Sequence, residues 1–107
     1  MRRILFLCSR NRLRSPTAER VFADYPGVEA TSAGLAPDAE ERLTPEHLDG
    51  VDLIFVMERA HRSKLTRDFG RYLHGARIVC LDIPDRYVYM QPELVELLRQ
   101  RVTPHLR

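Results

Sequence analysis

Two short stretches of this chain leave no polar face: residues 4–7, Ile-Leu-Phe-Leu, and residues 51–57, which are apolar apart from Asp52. A strand with one face in water alternates apolar and polar side chains. Strands of continuous apolar character therefore belong inside a parallel sheet covered by helices on both sides. Helical spacing follows the first run, where Ala18, Val21, Phe22 and Tyr25 stand at i, i+3, i+4 and i+7 before Pro26-Gly27 breaks the pattern. Residues 28–32 read as a second strand, 37–42 as a polar loop, and Thr44-Pro45-Glu46 as the opening of a short helix. After the run at 51–57 the pattern predicts a helix over residues 59–69, a turn at 70–75, a strand at 77–81 and a loop at 82–89. Pro92 then opens a last helix that packs Leu94, Leu97, Leu98 and Val102. The expected fold class is α/β, a three-layer sandwich around a four-stranded parallel doubly wound sheet, in one domain over residues 1–107.

The first apolar run delivers Cys8 into a loop, Ser9-Arg10-Asn11-Arg12-Leu13, that ends at Arg14, Ser15 and Pro16. A strand ending at the cysteine and a helix beginning after Ser15 wrap the intervening backbone around an anion, with N–H groups pointing inward and the positive helix end behind them. In such surroundings a thiol, ordinarily only a few per cent ionised at neutral pH, is held as the nucleophilic thiolate. Arg14, six positions after Cys8, can curl back to grip two phosphate oxygens with its planar fork. Ser15 suits two tasks, capping the helix ahead of Pro16 and donating its hydroxyl to the sulfur. With no glycine between Cys8 and Ser15, Asn11 is the residue best able to take the left-handed conformation that turns N–H groups inward.

Cys-x5-Arg followed by Ser resembles the phosphate loop of protein tyrosine phosphatases. Its place at the N-terminus points to the low-molecular-weight tyrosine phosphatase family. Further stretches fit that family in order: Ser15-Pro16-Thr17-Ala18-Glu19, Thr31-Ser32-Ala33-Gly34, Asp52-Leu53-Ile54-Phe55-Val56-Met57, and Ile83-Pro84-Asp85-Arg86-Tyr87, which looks like the family's Asp-Pro-Tyr loop. Departures are present too. Arg10 stands where the family loop has glycine, Leu13 where it has a second cysteine, and Arg86 where it has the proline after the acid. The chain is also short between Gly34 and Asp52, where the family builds part of its pocket rim.

The resemblance implies phosphate monoester hydrolysis through a phosphocysteine intermediate, with phosphotyrosine as the expected substrate and phosphoarginine as a second one compatible with the chemistry. Cys8 is then the nucleophile, and Arg14 with the backbone from Ser9 through Arg10, Asn11, Arg12 and Leu13 binds the phosphoryl group. Ser15 stabilises the thiolate. Asp85 is the general acid and base, with Asp82 in reserve. Tyr87 or Tyr89 either covers the sheet end or stacks on an aryl phosphate. Arg10 and Arg12 are open between solvated charges and rim recognition, and Ser32 between a turn hydroxyl and a brace for Asn11.

The partner that the resemblance implies is a phosphorylated protein or a small phosphate monoester; charge alone identifies none. The net charge is only +2, with Lys64 the single lysine, so no nucleic-acid partner is expected. His47, His61, His74 and His105 show no ligand spacing, and no metal or cofactor is expected. No apolar run approaches the ~20 residues of a membrane span. The segment after Arg2 and Arg3 is too brief for a signal peptide. Two distant cysteines make no disulfide framework and fit a reducing cytoplasm; mid-strand Cys80 reads as core. Two other classes compete: an arsenate reductase, for which Cys80 would have to serve as resolving thiol, and a module that binds phosphate without turnover.

Overall fold

The computed structural model describes all 107 residues. Four strands, β1 (Arg2–Cys8), β2 (Val28–Gly34), β3 (Leu53–Val56) and β4 (Arg77–Cys80), form one sheet in the order β2-β1-β3-β4, every pair parallel. The helices are α1 (Arg14–Phe22), α2 (Pro45–Leu48), α3 (Arg59–Phe69) and α4 (Pro92–Val102), with 3₁₀ turns at Gly70–Tyr72 and Thr103–His105. Side chains of a strand alternate between faces, so each apolar run feeds two cores at once. Ile4 and Phe6 of β1, with Leu53 and Phe55 of β3, pack against Ala18 and Phe22 of α1 and Leu94, Leu98 and Val102 of α4. Leu5, Leu7, Ile54 and Val56 face the other way, onto Leu48 of α2 and Leu65 of α3. The first layer is anchored by Phe6, whose ring lies 5.8 Å from Phe22 and 5.2 Å from Phe55.

Of the boundaries that differ from the sequence reading, three have a plain local cause. β1 is longer, because its ladder with β2 runs from Arg2↔Val28 to Cys8↔Gly34, and parallel pairing needs only backbone groups, whatever the side chains of Arg2 and Arg3. β3 is shorter at its start because Asp52 is drawn into a reciprocal pair with Arg3: its carboxylate accepts the Arg3 N–H, and its own N–H donates to the Arg3 carbonyl. α1 begins at Arg14, with Leu13 at the cap position, so Ser15 does not cap the helix and Pro16 is its third residue. Cys80 packs against the second core from its border and not inside it: β4 is an edge strand, and the thiol is partly exposed with its S–H toward Asp82 Oδ1 at 3.5 Å.

The segment after β2 is what makes a wall for the loop after β1. Leu35 N–H donates to the Cys8 carbonyl, Ala36 to Ser9 and Glu40 to Arg10, at 3.0, 2.8 and 3.0 Å. This contact requires Gly34, where an added Cβ would lie 2.5 Å from Ala39 Cβ and 2.7 Å from the Ser9 carbonyl oxygen. No helix is long and apolar enough to cross a membrane.

Candidate active site

Because parallel strands all end on one side of the sheet, the loops after β1, β2, β3 and β4 converge there. Those after β1, β2 and β4 enclose a cavity of about 640 Å³ lined by Cys8, Ser9, Arg10, Arg12, Leu13, Arg14, Ala36, Asp38 and Asp85. The Cys8–Arg10 carbonyls are turned outward and taken by the 35–40 segment, and the N–H groups of residues 9–14 donate to no backbone carbonyl. Asn11 sits at φ 56°, the left-handed turn expected of it. The result is a ring of free donors at the N-terminus of α1, an anion cradle with a thiol at its base.

The thiol is oriented by a chain of hydrogen bonds whose direction can be worked out. The Asn11 side-chain amide has two hydrogens, one donated to Ser15 Oγ at 2.9 Å and the other to Ser32 Oγ at 3.0 Å. Ser32 gives its own proton to the Glu19 carboxylate. Ser15, already accepting from Asn11, is left with one proton to donate, and Cys8 Sγ lies 2.9 Å away. Ser32 is thus the brace for Asn11.

Arg14 is 3% exposed and clamped from behind. One of its terminal nitrogens donates to Glu58 Oε2 at 2.6 Å and to the Ile83 carbonyl at 2.7 Å, which leaves the rest of its fork to the cavity. Asp85 Oδ1 stands 3.8 Å from Arg14 Nε. Asp82 lies elsewhere, lining a separate depression with Cys80, Arg101 and His105. Arg10 and Arg12 rise at the rim as exposed ion pairs, 3.6 Å from Asp38 and Glu40 respectively. Tyr87 is buried in the core beside Ile83 and Leu94 and does not line the cavity, because the 82–89 loop turns Ile83 and Tyr87 down onto the sheet end while Asp85 and Tyr89 face out. Tyr89 borders a different groove, behind the loop.

Two residues at the site escaped the sequence reading. Glu58, which holds Arg14, is the N-cap of α3, and His61, whose Nε2 lies 3.0 Å from Ser9 Oγ, is in the first turn of that helix. The signal was in the register: Leu7 pairs with Val56, so the residues two places on, Ser9 and Glu58, leave the sheet as neighbours. Burial and the charge of Arg14 hold the His61 pKa below its ordinary value, against opposing pulls from Glu58 and Asp85.

The family model of low molecular weight phosphotyrosine protein phosphatases matches residues 3–48. The protein-arginine-phosphatase of Bacillus subtilis (strain 168) is 30% identical, over 91% of this chain and 92% of the relative. Among solved structures, the YwlE arginine phosphatase from Geobacillus stearothermophilus superposes with a TM-score of 0.78 at 23% identity, covering 99% of this chain and 93% of its own. The tyrosine phosphatase Wzb from Escherichia coli K30, in complex with phosphate, gives 0.75 at 22%, covering 96% and 94%. At these identities the two structures speak for the fold.

Proposed function

The chain belongs to the low-molecular-weight phosphotyrosine protein phosphatase family and is a phosphatase of the cysteine class that acts on phosphorylated proteins or small phosphate compounds; within that class we propose that Cys8, Arg14 and Asp85 carry the reaction. The Cys8 thiolate bonds to phosphorus as the bond to the leaving oxygen breaks, and that oxygen takes a proton from Asp85. Arg14 and the N–H groups of residues 9–14 hold the equatorial oxygens as charge shifts among them. In the second half, water attacks phosphorus and gives a proton to the Asp85 carboxylate. The S–P bond then breaks, and Ser15 donates to the departing thiolate. The observation that carries this reading is the hydrogen-bond chain that runs outward from the Asn11 amide, through Ser32 to Glu19 on one side and through Ser15 to Cys8 on the other, with the sulfur inside a ring of unpartnered N–H groups. A nucleophile of this kind works in a reducing compartment, so we place the enzyme in the cytoplasm.

The test is release of phosphate from an aryl phosphate with no metal added. Cys8→Ser is expected to abolish turnover while still binding inorganic phosphate. Undiminished turnover in that variant overturns the mechanism.

The phosphorylated group is proposed first as phosphotyrosine. Phosphoarginine is a second reading, favoured by the cavity walls: Asp38 and Asp85 present carboxylates beside Leu13 and Ala36, and no aromatic ring lines them. Carboxylates suit the N–H groups of a phosphorylated guanidinium better than the face of a phenol. The curated relative is named for that substrate. Rates on a phosphotyrosine and a phosphoarginine peptide of one sequence, measured side by side, decide between them.

A further inference from the structure

The contact between α3 and the Cys8 loop contains a donor that the reaction as described does not use. His61 is 6% exposed, and its Nδ1 accepts the Glu58 N–H at 3.1 Å. A neutral imidazole that accepts at Nδ1 carries its proton on Nε2. Nε2 faces Ser9 Oγ at 3.0 Å, so the histidine donates and the serine accepts. The reverse arrangement would put a proton on Nδ1 against the Glu58 N–H, two donors facing each other. Burial and the nearby Arg14 charge favour the neutral ring as well, outweighing Glu58 and Asp85. The Ser9 hydroxyl proton is therefore directed away from His61, and Ser9 lines the anion cavity.

We propose that His61 is a positioning residue: by donating to Ser9 Oγ, it turns the Ser9 hydroxyl into the cavity as an added donor to the bound phosphoryl group. The proposal rests on the phosphate-binding role given above to the Cys8 loop. The N-terminal end of α3 then serves both sides of the cradle, Glu58 at its cap steadying Arg14 through its carboxylate and His61 steadying Ser9 through its ring. Ser9 contributes twice, through its backbone N–H and its hydroxyl.

A double-mutant cycle on inorganic phosphate binding, read by calorimetry, tests this. Ser9→Ala and His61→Leu are each expected to weaken binding about tenfold, the scale of one hydrogen bond to a charged oxygen. The double variant should bind no worse than Ser9→Ala alone. His61→Gln, whose amide keeps an N–H donor, should recover part of the loss. Independent losses that multiply in the double variant overturn the proposal, as does a His61→Leu change that moves only the melting temperature. If His61→Leu does not fold, Ser9→Ala against Ser9→Thr decides, since only the latter keeps the hydroxyl; equal phosphate affinity of Ser9→Ala and wild type sinks the idea. Binding is read apart from turnover. A wild-type protein that binds phosphate but hydrolyses nothing refutes the phosphatase mechanism and leaves this test in force, whereas one that binds no phosphate overturns both.

Discussion

The two aspartates of the loop after β4 show how a single residue's placement bears on the role proposed for it. Asp85 opens on the cavity within 3.8 Å of the arginine that would grip the phosphoryl group, while Asp82 sits at φ 53° in a turn whose carbonyls are held by Arg101. Asp85→Asn is expected to slow hydrolysis of a poor leaving group by about two to four orders of magnitude, and much less for an activated phenol that departs without a proton. Asp82→Asn should change little. Rates on phenyl phosphate and p-nitrophenyl phosphate check this, and equal rates for wild type and Asp85→Asn on the former would remove Asp85 from the mechanism. Cys8, Arg14 and Ser15 were legible in the sequence because their spacing within one loop is a local property. Glu58 and His61 were not, because they reach the site through the sheet register, and a contact made 52 residues away has no local signature. Tyr87 was misplaced for a related reason: which side of an irregular loop faces the core is decided by the sheet end beneath it.

At the scale of elements, the helix over Arg59–Phe69 and the start of the last one at Pro92 follow from periodicity and from proline at a first helical position. Strand ends were less legible, since Arg2 and Arg3 extend β1 by backbone pairing that no side-chain pattern records. The segment between β2 and α2 was legible only as a polar loop, yet it holds three carbonyls of the phosphate loop outward. Gly34 is its hinge. Gly34→Ala should therefore act on both stability and binding, because the new methyl meets Ala39 Cβ and two backbone atoms of the Cys8 loop at 2.5 to 3.0 Å, and backbone cannot step aside as a side chain can. We expect a loss of about 1–3 kcal/mol in denaturant unfolding, the usual cost of overpacking. Phosphate affinity should fall with it. An alanine variant of wild-type stability and affinity would mean that the 35–40 segment does not hold the loop.

Over the whole molecule, charge sets the salt and pH response. Arg10 and Arg12 stand at the rim, but each is shared with a carboxylate, Asp38 or Glu40, and exposed pairs of this kind are worth little and are screened by salt. Arg12→Ala should lower kcat/KM for an acidic phosphopeptide more than for a small aryl phosphate, with the difference shrinking as salt rises; a loss equal on both substrates and indifferent to salt would make this arginine a shaper of the loop. The pH response turns on His61. In the fold its pKa lies below the ordinary 6.5, chiefly through burial and next through Arg14, with Glu58 and Asp85 pulling upward. The unfolded chain binds that proton first as pH falls, so protonation favours unfolding: the contribution is fully present above about pH 6.5 and is lost as pH drops through the lowered folded value. Glu46 and Asp68 also lie below their ordinary values, 4.5 and 3.8, but their losses begin only in that more acid range. Between about pH 6.5 and 4.5 His61 therefore adds a slope of its own. Urea midpoints measured across this interval should fall for wild type and fall less for His61→Gln, which has no proton to gain; parallel slopes for the two proteins would show that this ring is not held neutral by the fold.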